Sequence, residues 1–420
     1  MSDKTAPRRS LGGLDALNFL MADVQGGLGP YLTVFLAGQH WQPGRIGLAM
    51  GASSVSAAIC QIPAGLLVDA TRMKRLIAAV SGLMIAAACL VIAWLPQFLP
   101  VIGAQLAIGA AAALVPPTLA ALALGLAGRA QFDATISRNQ SFNHGGNFVA
   151  AGLAGTLGNY IGILWIFYLI CAFAAASAVS TLLIAPREID HMAARGGEAT
   201  DTSGDTEPVT VRSLLRRRDL LVFLGAVLLF HFGNAAMLPM AGQVLARAHP
   251  SEATVTLSAC IIVAQLVMVG VAWAVGRAVA RGVGRKSVFL LAYALLPVRG
   301  VLFAFVTSSY GVVAVQVLDG VAAGIFGVVS VLVAADLMRG TGRFNLVQGL
   351  VALSVGIGAG LSNVVGEYGV QWFGYPAGFL TLAGIAFCAL LFFALLMPET
   401  RDTGAEAGSP SGASAQQSAA

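Results

Sequence analysis

The stretch GLLVDATRMKR, residues 65–75, ends a long apolar run in one acid and three bases: Asp69, Arg72, Lys74 and Arg75. The pattern returns 211 positions later as GRAVARGVGRK, residues 276–286. Gly65 maps onto Gly276, Lys74 onto Arg285 and Arg75 onto Lys286, with Arg281 between them. One basic hinge behind an apolar run is a loop. Two at matched positions indicate a duplicated chain, and the runs before them indicate a membrane.

Composition agrees. The 420 residues are 57% hydrophobic and 10% charged, against about 25% charged in a soluble domain. An α-helix needs roughly 20 apolar residues to cross a bilayer core ~30 Å thick, and such runs use up most of the chain. Twelve spans are predicted, at about 14–37, 44–69, 76–95, 99–127, 137–161, 163–185, 219–245, 252–279, 287–306, 310–337, 345–369 and 374–397. Strands of a barrel would alternate polar and apolar residues, so the spans are helices. The fifty glycines suit membrane helices, where small residues let backbones approach. The cysteines Cys60, Cys89, Cys171, Cys260 and Cys388 all fall inside apolar runs without CxxC spacing, so neither disulfides nor a metal site is expected. No cleavable signal is expected, and span 1 serves as the insertion signal.

The bases are distributed asymmetrically. All but Arg45, Arg247 and Arg299 fall in the tails or the even-numbered connections, around 72–75, 129–138, 186–218, 277–286 and 339–343. This positive-inside pattern predicts that both termini are cytoplasmic; the membrane expected is a bacterial inner membrane. The formal charge of +5 therefore needs no nucleic acid to explain it. The polar connection 186–218 reads as a flexible linker between a bundle at 14–185 and another at 219–397. Residues 1–13 and 398–420 read as cytoplasmic tails, the latter disordered.

The halves echo each other further. Asp23 falls opposite Asn234, and Gln105-x-x-x-Gly109 opposite Gln316-x-x-x-Gly320, at the same offset. GLAGTLGNY at 152–160 matches GLSNVVGEY at 360–368, offset 208. Matches in unchanged order mean two six-helix units in parallel orientation, related by an axis along the membrane normal.

On these features the chain resembles the major facilitator superfamily over spans 1 to 12. The fold class implied is all-α: twelve transmembrane helices in two pseudo-symmetric six-helix bundles. The family's signature between spans 2 and 3 is matched by Gly65, Asp69, Lys74 and Arg75, with Arg72 where a glycine is usual. The second copy keeps Gly276, Arg281, Arg285 and Lys286, but Ala280 replaces the acid. The resemblance implies that the first loop acts in switching between inward- and outward-open states, Asp69 bonding in one state only. The second copy, without its acid, is expected to serve mainly topology. Span 5 lacks the Gly-Pro of many proton-driven exporters, and span 4 has Gln105 where they often carry an arginine.

Ionisable groups inside spans cost about 2.5–3.5 kcal/mol each at a helix centre, so each needs a reason. Asp23, with Gln25 nearby, is read as a proton site on the cavity; its bland alternative is a carboxylate bonded to a neighbouring helix. His231 and Asn234 share a face of span 7 and approach the same cavity, or else His231 is a packing residue. Asn143, His144 and Asn147 in span 5 either contact a polar substrate or bond across to span 1 or 8. Arg299 and Asp319 lie at matching depths and are read as a buried ion pair, with an anion site or a proton-sensitive latch as alternatives. Asp336, Arg339 and Arg343 form a second hinge cluster.

The function expected is a secondary active transporter working by alternating access on a small molecule, with proton-coupled efflux ahead of proton-coupled uptake. A transporter-like sensor would need a larger soluble part. An enzyme would need a nucleophile–base constellation or a nucleotide loop. No cofactor is implied; the partners expected are a small-molecule substrate, protons and the bilayer, for a monomer.

Overall fold

The computed structural model describes residues 8–26, 28–191, 193–195, 216–338 and 344–401. Among these residues the regular structure is helical throughout. The first half contains α1 (Arg8–Gly26), α2 (Leu28–Gly38), α3 (Pro43–Ala70), α4 (Lys74–Trp94), α5 (Phe98–Tyr160) and α6 (Leu164–Ser180). The second contains α7 (Arg218–Asn234), α8 (Met237–Ala248), α9 (Ala253–Ala280), α10 (Arg285–Phe305), α11 (Ser309–Leu337), α12 (Phe344–Phe373) and α13 (Tyr375–Leu396). Starts follow local chemistry. Pro43 opens α3 behind an extended Gln42, where its missing N–H costs nothing. The Ser308 side chain caps α11 by accepting from Gly311 N at 3.2 Å.

Ten helices among the described residues are long and apolar enough to cross a bilayer. The remaining two spans have physical reasons to differ. Span 1 is delivered as α1 and the short α2, and span 5 begins with the polar turns RNQSFNHGGN. Two expected boundaries are corrected. The connection at 129–138 is helical, with the break at Gly128, whose φ of 66° favours glycine. No Gly or Pro lies between 129 and 138 to stop a helix there. The tail expected at 1–13 is helical from Arg8, held where Ser10 Oγ donates to Glu188 and accepts from Ala185 N at 2.9 Å. Residues 196–215 of the expected linker and 402–420 of the expected tail lie outside the described residues.

One apolar cluster draws Leu17, Tyr31, Ile85, Leu122 and Phe167 of the first half together and reaches across to Leu257 of the second. Two others fill the second, around Phe230, Tyr293 and Phe393 and around Met240, Phe303 and Phe379.

The duplication is visible in contacts. A methyl group at Gly109 would run into the backbone oxygen of Ser53 and meet Ser56 Cβ at 2.9 Å. At Gly320 it would stand 2.9 Å from the backbone oxygen of Ala264 and 2.7 Å from Val267 Cβ. Every partner is displaced by the same 211 positions. Between the halves the relation is an exchange: a methyl at Gly47 of α3 would lie 2.7 Å from Glu367 Cβ and against the carbonyl of Asn363 on α12, while at Gly155 of α5 it would lie 2.7 Å from Ser258 Cβ on α9. Ser258 is the equivalent of Gly47, and Asn363 of Gly155.

These approaches carry a stability prediction. Gly109→Ala and Gly320→Ala should each destabilise by about 1–3 kcal/mol, because backbone must move to admit the methyl. Gly65→Ala and Gly276→Ala have open space around them and should leave stability unchanged or raise it. Thermal unfolding in detergent compares the four; equal midpoints would contradict the packing described.

Candidate functional site

The two halves meet along seams that are closed at one end. The face carrying the loops at 71–73 and 281–284 is called the basic face here. On the opposite face, Gly44 N donates to Gln371 Oε1 at 2.9 Å, Thr33 Oγ1 to Pro239 O at 3.1 Å, and Tyr31 and Ser258 share a hydrogen bond of 2.7 Å. The α3–α12 seam is lined with small residues. Gly51 packs on Val364, and Gly356 and Gly360 pack on Ala58 and Ser54. Nearer the basic face, a methyl on Gly65 of α3 or Gly349 of α12 would meet nothing within 4 Å.

Behind the closed end lies a cavity of about 280 Å³ with walls from both halves, Gly29, Pro30 and Met50 on one side and Asn234, Arg299 and Asp319 on the other. Arg299 is 1% exposed. Its guanidinium pairs with Asp319 at 2.9 Å, donates to Gln316 Oε1 at 3.0 Å and to Asn234 Oδ1, and lies 5.2 Å over the Phe303 ring. Gln316 Nε2 in turn donates to Asp319 Oδ2 at 2.7 Å. A buried guanidinium is tolerated only with its charge matched; Asp319 matches it, the amides of Asn234 and Gln316 take up its terminal nitrogens, and Nε is buried with no hydrogen-bond partner among the described residues. The expected ion pair is therefore also a wall of the cavity. Gln316 was visible in sequence as a repeat marker, without a sign of this role. The first half has no counterpart: the positions equivalent to Arg299 and Asp319 are Ala88 and Ile108. Gln105, equivalent to Gln316, is buried with Met50 Sδ 3.6 Å from its amide nitrogen.

The other expected residues separate. The side chains of Asp23 and Gln25 lie outside the described residues, although the α1 backbone carries both. His231 hydrogen-bonds Val227 O of its own helix at 3.0 Å and packs against Phe230 and Phe326. Asn234 alone of that pair lines the cavity described above. His144 bonds across the halves to Gln265 of α9 at 2.9 Å, while Asn147 donates to Asn143 at 3.2 Å. Asn143 also lines a cavity of about 320 Å³ with Asn18 and Asn139. Asn139 is 4% exposed, and both its amide atoms lack partners among the described residues. Sequence reading missed this cavity, and also the Asp15–Arg138 ion pair at 2.7 Å that ties α1 to α5.

At the loops, Asp69 is exposed and makes no hydrogen bond or ion pair among the described residues. Lys74 is buried and closes the end of α3, donating to Val68 O and Thr71 O at 3.0 and 2.9 Å. Arg75 reaches Thr181 O at 2.8 Å, and Arg72 is exposed. The second copy makes contacts that the expectation of a mainly topological role did not include. Arg285 pairs with Asp336 at 3.3 Å, and Glu399 accepts from the backbone N–H groups of Arg285 and Lys286 at 2.9 and 3.1 Å. The second loop is thus held by carboxylates from other segments of its own half. The signal was present, since Glu188 and Glu399 are also 211 apart. Arg339 and Arg343 of the expected second hinge cluster lie outside the described residues.

Comparison with known proteins supports this architecture. The family model described as Major Facilitator Superfamily matches residues 14–296 and 272–416. Two proteins from different strains of Mycobacterium tuberculosis, each named an uncharacterized MFS-type transporter, are 40% identical over 398 residues, covering 94% of this chain and 95% of theirs. Among solved structures, a point mutant of the nucleoside transporter NupG superposes with a TM-score of 0.75 at 14% identity, covering 92% of this chain and 100% of that one. A POT family transporter in complex with a thioalcohol-conjugated peptide gives 0.74 at 12% identity, covering 92% and 96%. At these identities the structures speak for the fold alone.

The network around Arg299 makes a further prediction. Arg299→Met, which strands Asp319, should cost about 3–5 kcal/mol, and Asp319→Leu, which strands the guanidinium, a similar amount. The double substitution should recover much of either loss. Unfolding midpoints of the four proteins test this; additive losses would show that the pair is not an energetic unit.

Proposed function

Because the chain belongs to the major facilitator superfamily, we propose that it is a proton-coupled secondary transporter that exports a polar or amphipathic small molecule by alternating access. The observation that carries this reading is the cavity walled by both halves, with seams that seal it on one face and part toward the other. The positive-inside pattern makes the basic face cytoplasmic, so this arrangement is an inward-facing state. The cavity's charge supports a cargo without strong net charge: Arg299 is matched by Asp319, and the other polar walls described are amides. Asp23 is the leading candidate for the proton carrier. His231, bonded to its own helix and enclosed by aromatic rings, is the second.

The test is a substrate screen in inside-out vesicles with an imposed pH gradient. An acid lumen should drive accumulation of the cargo, and Asp23→Asn should lose that accumulation while retaining substrate counterflow. Accumulation only in right-side-out vesicles with acid outside would assign uptake instead. Unchanged gradient-driven accumulation by Asp23→Asn would remove that residue from the coupling step.

A further inference from the structure

The seam that closes the face opposite the basic loops is built over a carboxyl group with no part in the reading above. Glu367 of α12 is 1% exposed, and Gly47 of α3 packs directly on its side chain. Its Oε1 accepts from Gln243 Nε2, and Gln243 Oε1 accepts from Tyr375 OH at 2.9 Å. Oε2 is buried without a partner among the described residues. The first-half equivalent is Asn159, so the architecture of the bundle does not demand an acid at this position.

The surroundings favour one protonation state in the closed seam. An ionised carboxylate accepts at both oxygens, and a buried charge without adequate partners costs several kcal/mol. From α3, Gly44, Gly47 and Gly51 bring no side chain, and Arg45 is exposed and lies 5.6 Å over the Phe98 ring. From α8 comes Arg247, exposed, with its guanidinium 4.9 Å over the Tyr375 ring. From α13 comes Tyr375 itself, and Tyr368 on α12 packs beside Gly44. Arg247 is thus the cation nearest to hand, placed at the rim for a carboxylate that water reaches once the seam parts.

We propose that Glu367 is a proton site of the gate: it holds a proton while the α3–α12 seam is closed and releases it to water on that face as the seam opens. Alkaline conditions then favour the open gate and acid conditions the closed one. The inference rests on the alternating-access reading, in which this face opens, and not on which ion drives transport.

The test needs no cargo. Spin labels at Gln39→Cys and Phe373→Cys, in full-length protein lacking its native cysteines and held in lipid nanodiscs, report the distance across the gate. With Glu367 present, a longer distance should gain population as pH rises. Glu367→Gln, shaped like the protonated acid, should hold the short distance at every pH, and Glu367→Asp should keep a pH response. Gly47→Leu, whose side chain collides with Asn363 and Glu367, should hold the gate apart throughout. A pH response in Glu367→Gln equal to that of the parent, or no response in the parent while Gly47→Leu opens, overturns the proton site. A gate that stays closed even in Gly47→Leu overturns the alternating-access reading beneath it.

Discussion

Bare backbone laid against bare backbone is the contact on which this structure depends. Lipid is as apolar as a leucine side chain, so helices in a membrane gain little by hiding apolar surface from it and associate through close packing instead. Gly109 on the Ser53 carbonyl and Gly320 on the Ala264 carbonyl place one helix of each bundle as near to another as chains allow. The seams between the halves use the same device over part of their length. Gly47, Gly51, Gly356 and Gly360 are engaged across the α3–α12 seam, whereas Gly65 and Gly349 stand in open space. A contact that fixes a bundle along its whole side holds two bundles together only at one end, and that leaves them free to rock.

Charge is divided unequally between bundles that are alike in shape. The guanidinium of Arg299 and its partners Asn234, Gln316 and Asp319 all come from the second half, so the network travels intact with its bundle. On the alternating-access reading, a network held within one bundle fixes the chemistry of the cavity wall, since a ligand or ion moves an equilibrium only through contacts that differ between states. The groups that cross the halves, Tyr31 with Ser258, Thr33 with Pro239, Gly44 with Gln371 and His144 with Gln265, meet through hydrogen bonds and not through ion pairs among the described residues. Fixed charge belongs to the cavity, and the seams are built of neutral contacts.

Much of this was legible in the chain because duplication writes itself into spacing. The repeated Gly65 and Gly276 hinges, the Gln-x-x-x-Gly pairs and the apolar runs lead to two six-helix bundles without reference to any coordinate. The Arg299–Asp319 pair was legible too, since matched depth in lipid leaves a buried guanidinium few choices. What escaped depends on contacts between distant segments or on the absence of a signal. The helical path through 129–138 breaks no rule, but a polar stretch between two spans reads as a loop unless tertiary contact such as Asp15–Arg138 holds it. Glu399 was hidden because attention fell on the acid missing at Ala280 and not on the 211 spacing that pairs Glu399 with Glu188. Glu367 was hidden inside a repeat motif, where its match to Asn159 drew attention to likeness and away from the difference in charge.

The loops give the energetic scale of switching. Asp69 has no partner among the described residues, while Arg285 and Lys286 are held by Asp336 and Glu399 within their own half. Closing the basic face gives Asp69 an opportunity to bond, and opening the other face breaks the Tyr31, Thr33 and Gly44 hydrogen bonds. A hydrogen bond contributes about 0.5–1.5 kcal/mol net, so the polar part of the exchange amounts to a few kcal/mol. Carrying a two-state equilibrium from 1:99 to 99:1 takes about 5.5 kcal/mol of differential affinity. On the alternating-access reading proposed above, the polar contacts of the seam are of a size that one bound molecule could outweigh. Replacing its neutral contacts with buried ion pairs across the halves would raise the cost of parting them beyond what a small ligand supplies, which is why the charges are kept within one bundle.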